Sequence, residues 1–96
     1  MSKQSFDYAI ALVEYIKKQD GEFADIRGAA KKLKLPRAYL EKVAQKLKNG
    51  GILESQRGAG GGYRLSARSA NISVDTLINF YEPRYAFCPL LRRVKN

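Results

Sequence analysis

PRAYLEKVAQKLKNGGILESQRGAGGGYRL, running from Pro36 to Leu65, is the stretch whose reading decides the fold. Leu40, Val43, Ala44 and Leu47 recur at the i, i+3, i+4, i+7 spacing that gathers apolar side chains on one helical face. Arg37, Ala38, Glu41, Lys42, Gln45 and Lys48 fall on the opposite face, so the helix has one side for a core and one for a partner. Pro36 suits the first helical turn, which has no use for the N–H that proline lacks, and Asn49-Gly50-Gly51 ends the helix. The period then changes: Ile52 to Gln56 and Tyr63 to Ser66 are short strand-like runs, joined by Arg57-Gly58-Ala59-Gly60-Gly61-Gly62. Four glycines in those six residues let the backbone of the tip come close to another surface. A basic hairpin beside an amphipathic helix has the form of a wing.

Upstream, Ile26, Ala29, Ala30 and Leu33 repeat at helical spacing, and Asp25 is placed to cap a helix over Ile26 to Leu33. Lys34-Leu35 breaks the pattern just before Pro36, whose ring disfavours a helical residue ahead of it. A short helix, a tight break and a longer helix make a helix-turn-helix, the second helix being the one that enters a groove. Before this unit, Phe6 to Lys18 reads as a helix with two apolar stripes. Phe6, Ala9, Ile10, Val13 and Ile16 should face the core. Tyr8, Leu12 and Tyr15 form the second stripe, which could meet the C-terminal segment or a second subunit, although plain intramolecular core is the commoner use of such a stripe. Asp20-Gly21 is a turn, and Glu22 to Ala24 could add a short third strand beside the wing. Downstream, residues 67–71 form a loop, Ser73 caps a helix over Val74 to Tyr81 with Leu77, Ile78 and Tyr81 inward, and Pro83 stops it. The fold class is thus mainly α with a small β-hairpin, a winged helix-turn-helix. It occupies residues 1–82, and Pro89 could open a further short helix in the segment 83–96.

The 96 residues suit one domain, and 45% hydrophobic against 28% charged places the chain with globular rather than disordered or membrane proteins. No apolar run approaches a membrane span and residues 1–19 do not read as a signal peptide, so a cytoplasmic location is expected. Cys88 is alone, which excludes an internal disulfide and agrees with a reducing compartment. The net charge of +9 is concentrated: Lys31 to Arg68 holds ten basic and two acidic residues, a balance of +8. Such clustering implies either a polyanionic partner or a solvated basic face.

Other chemistries fit poorly. Gly58 to Tyr63 fails G-x-G-x-x-G at its last position and joins two strands, whereas phosphate-binding glycine loops open a helix. With no histidine, one cysteine and scattered carboxylates, no nucleophile–base or paired-acid arrangement forms, so an enzyme, a small-molecule substrate and a resident cofactor are not expected. One thiolate without histidine does not make a metal site within the chain, and Cys88 is the single weak candidate for a ligand.

Tyr39-Leu40-Glu41, followed after the helix end by RGAGGGYRL from Arg57 to Leu65, resembles the Rrf2 family of bacterial winged-helix regulators over about Phe6 to Tyr81. The resemblance implies a homodimeric transcription factor on double-stranded DNA. It would set Arg37, Ala38, Tyr39, Glu41 and Lys42 in the major groove and the wing, led by Arg57, in the minor groove. Many members of the family hold an iron–sulfur cluster on three cysteines beyond the fourth helix, before a long dimerisation helix. This sequence has one cysteine there, and 83–96 would be no more than a remnant or the start of that helix.

The expected interface is therefore Arg37, Ala38, Tyr39, Glu41 and Lys42 on the reading helix, and Arg57, Gly58, Gly60 and Arg64 on the wing. Lys31, Lys32, Lys46 and Lys48 are placed for phosphates. Glu41 is either a solubilising helix residue or an acceptor for a cytosine N4 amine. Tyr39 packs at the helix edge, donates to a phosphate, or does both. The dimer contact is expected from the first helix and from Tyr85 to Val94. The competing class is an RNA-binding or protein-binding winged helix without operator specificity. RNA-reading sheets expose stacking aromatics, and these strands offer Tyr63 alone.

Overall fold

The computed structural model describes residues 3–81. In chain order these form α1 (Lys3–Lys17), α2 (Ile26–Leu33), α3 (Arg37–Asn49), β1 (Leu53–Gln56), β2 (Gly62–Leu65), a 3-10 turn (Ala67–Ser69) and α4 (Val74–Tyr81). Helix α3 lies at the centre, packed on α1, α2 and β1, and its Leu40, Val43, Ala44 and Leu47 are all buried. The spacing that predicted one apolar face thus finds its core. Ile26, Ala29 and Ala30 of α2 and Ile52 and Leu53 beside β1 close that core from two sides.

Helix α1 starts at Lys3, earlier than the apolar periodicity that begins at Phe6, because Lys3-Gln4-Ser5 carries no apolar signal. Both of its stripes contribute to the core, the commoner use expected for them. Ala9, Val13 and Ile16 are buried, and so is Leu12 from the second stripe, while Ile10 is only half-buried. The reason is that α1 meets α2, α3, β2 and α4, so the core surrounds it over a wide arc.

The break between α2 and α3 is built from backbone. Asp25 caps α2 by accepting from the Arg27 N–H at 3.2 Å. At the other end Lys34 takes the left-handed conformation (φ 59°, ψ 45°), and the N–H groups of Lys34 and Leu35 both donate to the Ala30 carbonyl. Leu35 then packs against the core. Pro36 stands at the N-cap of α3, extended at φ −63° and ψ 126°, one position before the helical turn expected for it. Its carbonyl still accepts the first helical bond, from Leu40 N–H at 3.1 Å.

Strands β1 and β2 pair antiparallel, with Leu53 opposite Leu65, Glu54 opposite Arg64, Ser55 opposite Tyr63 and Gln56 opposite Gly62. The third strand expected over Glu22 to Ala24 is reduced to one bridge. Ala24 N–H donates to the Tyr63 carbonyl at 2.7 Å, and Tyr63 N–H to the Ala24 carbonyl at 2.8 Å. Asp25 turns the chain into α2 at the next residue, which leaves no length for a strand. The loop expected at residues 67–71 contains the 3-10 turn. Ser73 caps α4, accepting from the Thr76 N–H at 3.2 Å, and Leu77 is buried. The expected inward positions of Ile78 and Tyr81, the stop at Pro83, the boundary at 82/83 and the helix at Pro89 lie outside the described residues or side chains.

One position tests the wing's seat. Gly62 has φ 142°, and a Cβ there would run into the Ala24 carbonyl that anchors β2. Gly62→Ala should therefore lower stability by about 1–3 kcal/mol, combining the strained backbone with the collision. A urea midpoint within about 0.5 kcal/mol of wild type would show that β2 can move off Ala24 at no cost.

Candidate nucleic-acid interface

The outward face of α3 carries chemistry arranged by helical spacing. Arg37 and Glu41, one turn apart, form an ion pair at 3.6 Å with both side chains about half exposed (54% and 53%). Such an exposed pair is worth only about 0.3–0.5 kcal/mol, so either group can be taken by a stronger partner. Ala38 and Lys42 beside them are exposed. Tyr39 is 47% exposed, and its ring packs edge-on against Tyr8 with centroids 5.6 Å apart and planes at 86°. The packing role weighed for Tyr39 is therefore present, and exposure leaves the rest of the side chain accessible.

Further along α3, Lys42, Gln45, Lys46, Asn49 and Gly50 line a shallow depression open to solvent. Asn49 and Gly50 escaped the sequence reading because they read as a helix end. Lys48 is exposed, and Lys46 is half-buried and already engaged in a contact. On α2, Lys31 and Lys32 stand exposed in the last turn, where cations favour the helix dipole.

The wing is tied to this helix. The Tyr63 hydroxyl donates to Gln45 Oε1 at 3.4 Å, while its backbone is bonded twice to Ala24. Burial, and secondarily the Glu41 carboxylate, push the Tyr63 phenol above its ordinary value, so it stays protonated and able to donate. Tyr63 thus links α3, β2 and the start of α2. The signal for it was its place as the first side chain after three glycines. At the tip, Arg57, Gly58 and Gly60 are exposed, and Gly61 N–H donates to the Gly58 carbonyl at 2.9 Å to close a tight turn.

Arg64 is placed differently from the other interface candidates. Its Nε lies 3.0 Å from Glu54 Oε2, its Nη1 donates to the Gly21 carbonyl at 3.4 Å, and its guanidinium carbon sits 4.3 Å from the Phe23 ring centroid. The group, although 42% exposed, is engaged by three groups of the protein itself. Among the described residues no cluster of three or more His, Cys, Asp or Glu side chains could hold a metal, and no helix is long and apolar enough to cross a membrane. Cys88 lies outside the described residues.

Over residues 2–95 the chain matches the family described as Rrf2, iron-dependent transcriptional regulator. It is 49% identical over 41 residues to the HTH-type transcriptional regulator IscR of Vibrio atlanticus, covering 43% of this chain and 24% of the relative. Over 47 residues it is 45% identical to an HTH-type transcriptional regulator of Neisseria meningitidis, covering 49% of this chain and 32% of that one. These matches therefore span about a quarter to a third of the length of the curated relatives. In three dimensions it is similar to CymR, the global cysteine regulator of B. subtilis, with a TM-score of 0.77 at 25% identity over 99% of this chain and 85% of that one.

Proposed function

Because the chain belongs to the Rrf2 family of transcriptional regulators, we propose that it reads double-stranded DNA sequence-specifically, with α3 in the major groove and the wing in the minor groove. The observation that carries this reading is the joined pair of exposed surfaces. The Arg37–Glu41–Lys42 face of α3 and the hairpin whose tip is led by Arg57 are joined through the Tyr63–Gln45 hydrogen bond. Lys42 and the guanidinium of Arg37 supply cations beside Glu41, whose carboxylate can accept from a cytosine N4 amine. Lys31, Lys32 and Lys48 supply sequence-independent attraction to phosphate. Arg57 rides a narrow hairpin into the minor groove, where A·T tracts concentrate negative potential.

Competition at one salt concentration tests the class of partner. Duplex DNA should displace a labelled duplex far more effectively than structured RNA or a single strand. A structured RNA that competes best would support the RNA-binding alternative, and no competition by any nucleic acid would support the protein-binding one.

Of the three cysteines on which many family members hold a cluster, residues 1–96 contain one candidate, Cys88, and no histidine. A dimer on DNA is part of the proposal, since one winged helix contacts few base pairs. Two copies would read half-sites about one helical turn, roughly 34 Å, apart. Sedimentation with a single duplex should give two chains per duplex, and one chain per duplex would refute the dimer. The contact expected at Tyr85 to Val94 lies outside the described residues.

A further inference from the structure

We propose that Arg64 is a positioning residue that holds the wing at its working angle, and not a DNA contact. The inference rests on the DNA-reading function proposed above and concerns how that function is built. Arg64 sits directly opposite Glu54 in the hairpin register, and its Nε bonds that carboxylate at 3.0 Å. Its neighbour Tyr63 points to the other face of β2, as strand alternation requires, and there reaches Gln45 of α3. The two side chains brace the strand on opposite faces. Tyr63 ties it to the reading helix, and Arg64 ties it to the α1–α2 turn.

That turn is shaped to receive a guanidinium. Asp20 (φ 56°) and Gly21 (φ 89°) both have positive φ in this tight turn, and the Gly21 carbonyl accepts from Arg64 Nη1 at 3.4 Å. Phe23 offers its ring face 4.3 Å from the guanidinium carbon, an arrangement that a planar delocalised cation exploits and a lysine ammonium does not reproduce. Arg64 and Glu54 are each 42% exposed, so the pair adds little to global stability. Its effect is geometric: three contacts to two segments, β1 and the α1–α2 connection, fix one orientation of the hairpin. Ala24, two residues from Gly21's neighbour Glu22, is bonded twice to Tyr63 at 2.7 and 2.8 Å, and this backbone bridge completes the seat.

A double-mutant cycle read by DNA binding separates a brace from a phosphate contact, because the two roles give Glu54 opposite signs. If Arg64 is a brace, Arg64→Ala and Glu54→Ala each weaken duplex binding by about threefold to tenfold. The double variant is then no weaker than Arg64→Ala, since both remove one shared device. The slope of log K against log salt stays at its wild-type value in all three. Amide exchange at Ala24 and Tyr63 in the free protein speeds up in both single variants, because the bridge loses its support. If Arg64 binds phosphate, Arg64→Ala flattens the slope by about 0.9, and Glu54→Ala tightens binding by releasing the guanidinium; either result overturns the proposal.

Arg64→Lys covers the case in which an alanine variant fails to fold. It keeps the charge but not the fork or the ring contact, so a brace loses affinity and a phosphate contact retains it. A wild-type protein that binds no duplex at all would overturn the function on which this rests. Wild-type binding with a flattened slope in Arg64→Ala would overturn this inference alone.

Discussion

Raising salt from about 50 to about 200 mM is expected to weaken duplex binding by two to three orders of magnitude for each chain bound, a slope of about −4 to −5 per chain in log K against log salt. The expectation comes from counting exposed cations. Lys31 and Lys32 on α2, Lys42 and Lys48 on α3 and Arg57 on the wing are all exposed, and each phosphate neutralised on duplex DNA contributes about −0.9. Lys46 is left out because it is half-buried and engaged, and Arg64 because it is bound to Glu54. Arg37 is paired with Glu41 at 3.6 Å and gains a phosphate only by losing that carboxylate, so it adds little to the slope. A titration with a slope shallower than about −2 would mean that most of these side chains do not meet phosphate, and the electrostatic account would fail.

Leu40→Ala is expected to lower stability by about 2–5 kcal/mol. Leu40 has no exposed surface and lies on the buried face of α3, the helix that packs on α1, α2 and β1, so the lost side chain leaves a cavity in the core. A domain of this size has roughly 5–15 kcal/mol in total, so the loss removes a large share of the folding free energy. The consequence reaches the interface. Leu40 immediately precedes Glu41 and is one turn of helix from Arg37 and Lys42's face, and an α3 that settles into the cavity would carry those side chains with it. Urea unfolding measures the first effect, and duplex affinity under conditions where the variant is fully folded measures the second. A loss below about 1 kcal/mol would contradict the placement of Leu40 at the centre of the core.

Elements with a strong local cause were legible in the sequence. Asp25 before an apolar repeat defines α2, Ser73 before another defines α4, and the expected bounds Ile26 to Leu33 and Val74 to Tyr81 agree with the structure. Helix α3 follows from four apolar positions and a glycine stop, and the winged arrangement from the glycine tip between two short strands. What could not be read depends on contacts distant in sequence. The reduction of the third strand to one bridge needs the path of Asp25 into α2.

The candidate site divides in the same way. Exposure of Arg37, Lys42 and Arg57 follows from helical and hairpin geometry alone. Arg64 is the instructive case. Two strand-like runs do not by themselves fix a register; Gly62 joins β2 opposite Gln56, which brings Glu54 opposite Arg64. A basic wing residue that looks available for DNA thereby acquires a carboxylate partner, and the Phe23 ring that receives it lies more than forty positions earlier in the chain. Tyr63 likewise gained its role only when Gln45 came within reach.

The central claim is that α3 reads bases in the major groove while the wing supports it from the minor groove. Selection of bound sites from a random duplex pool, run in parallel with wild type, Glu41→Ala and Arg57→Ala, tests it most directly. Wild type should enrich a defined motif. Glu41→Ala should lose base preference at one position per half-site, since one good pairing is worth about 1–3 kcal/mol of discrimination, while overall affinity falls little. Arg57→Ala should keep the motif, bind more weakly throughout and lose A·T preference at the flanks. No enriched motif with wild type, or the same motif and affinity in all three proteins, would contradict the account.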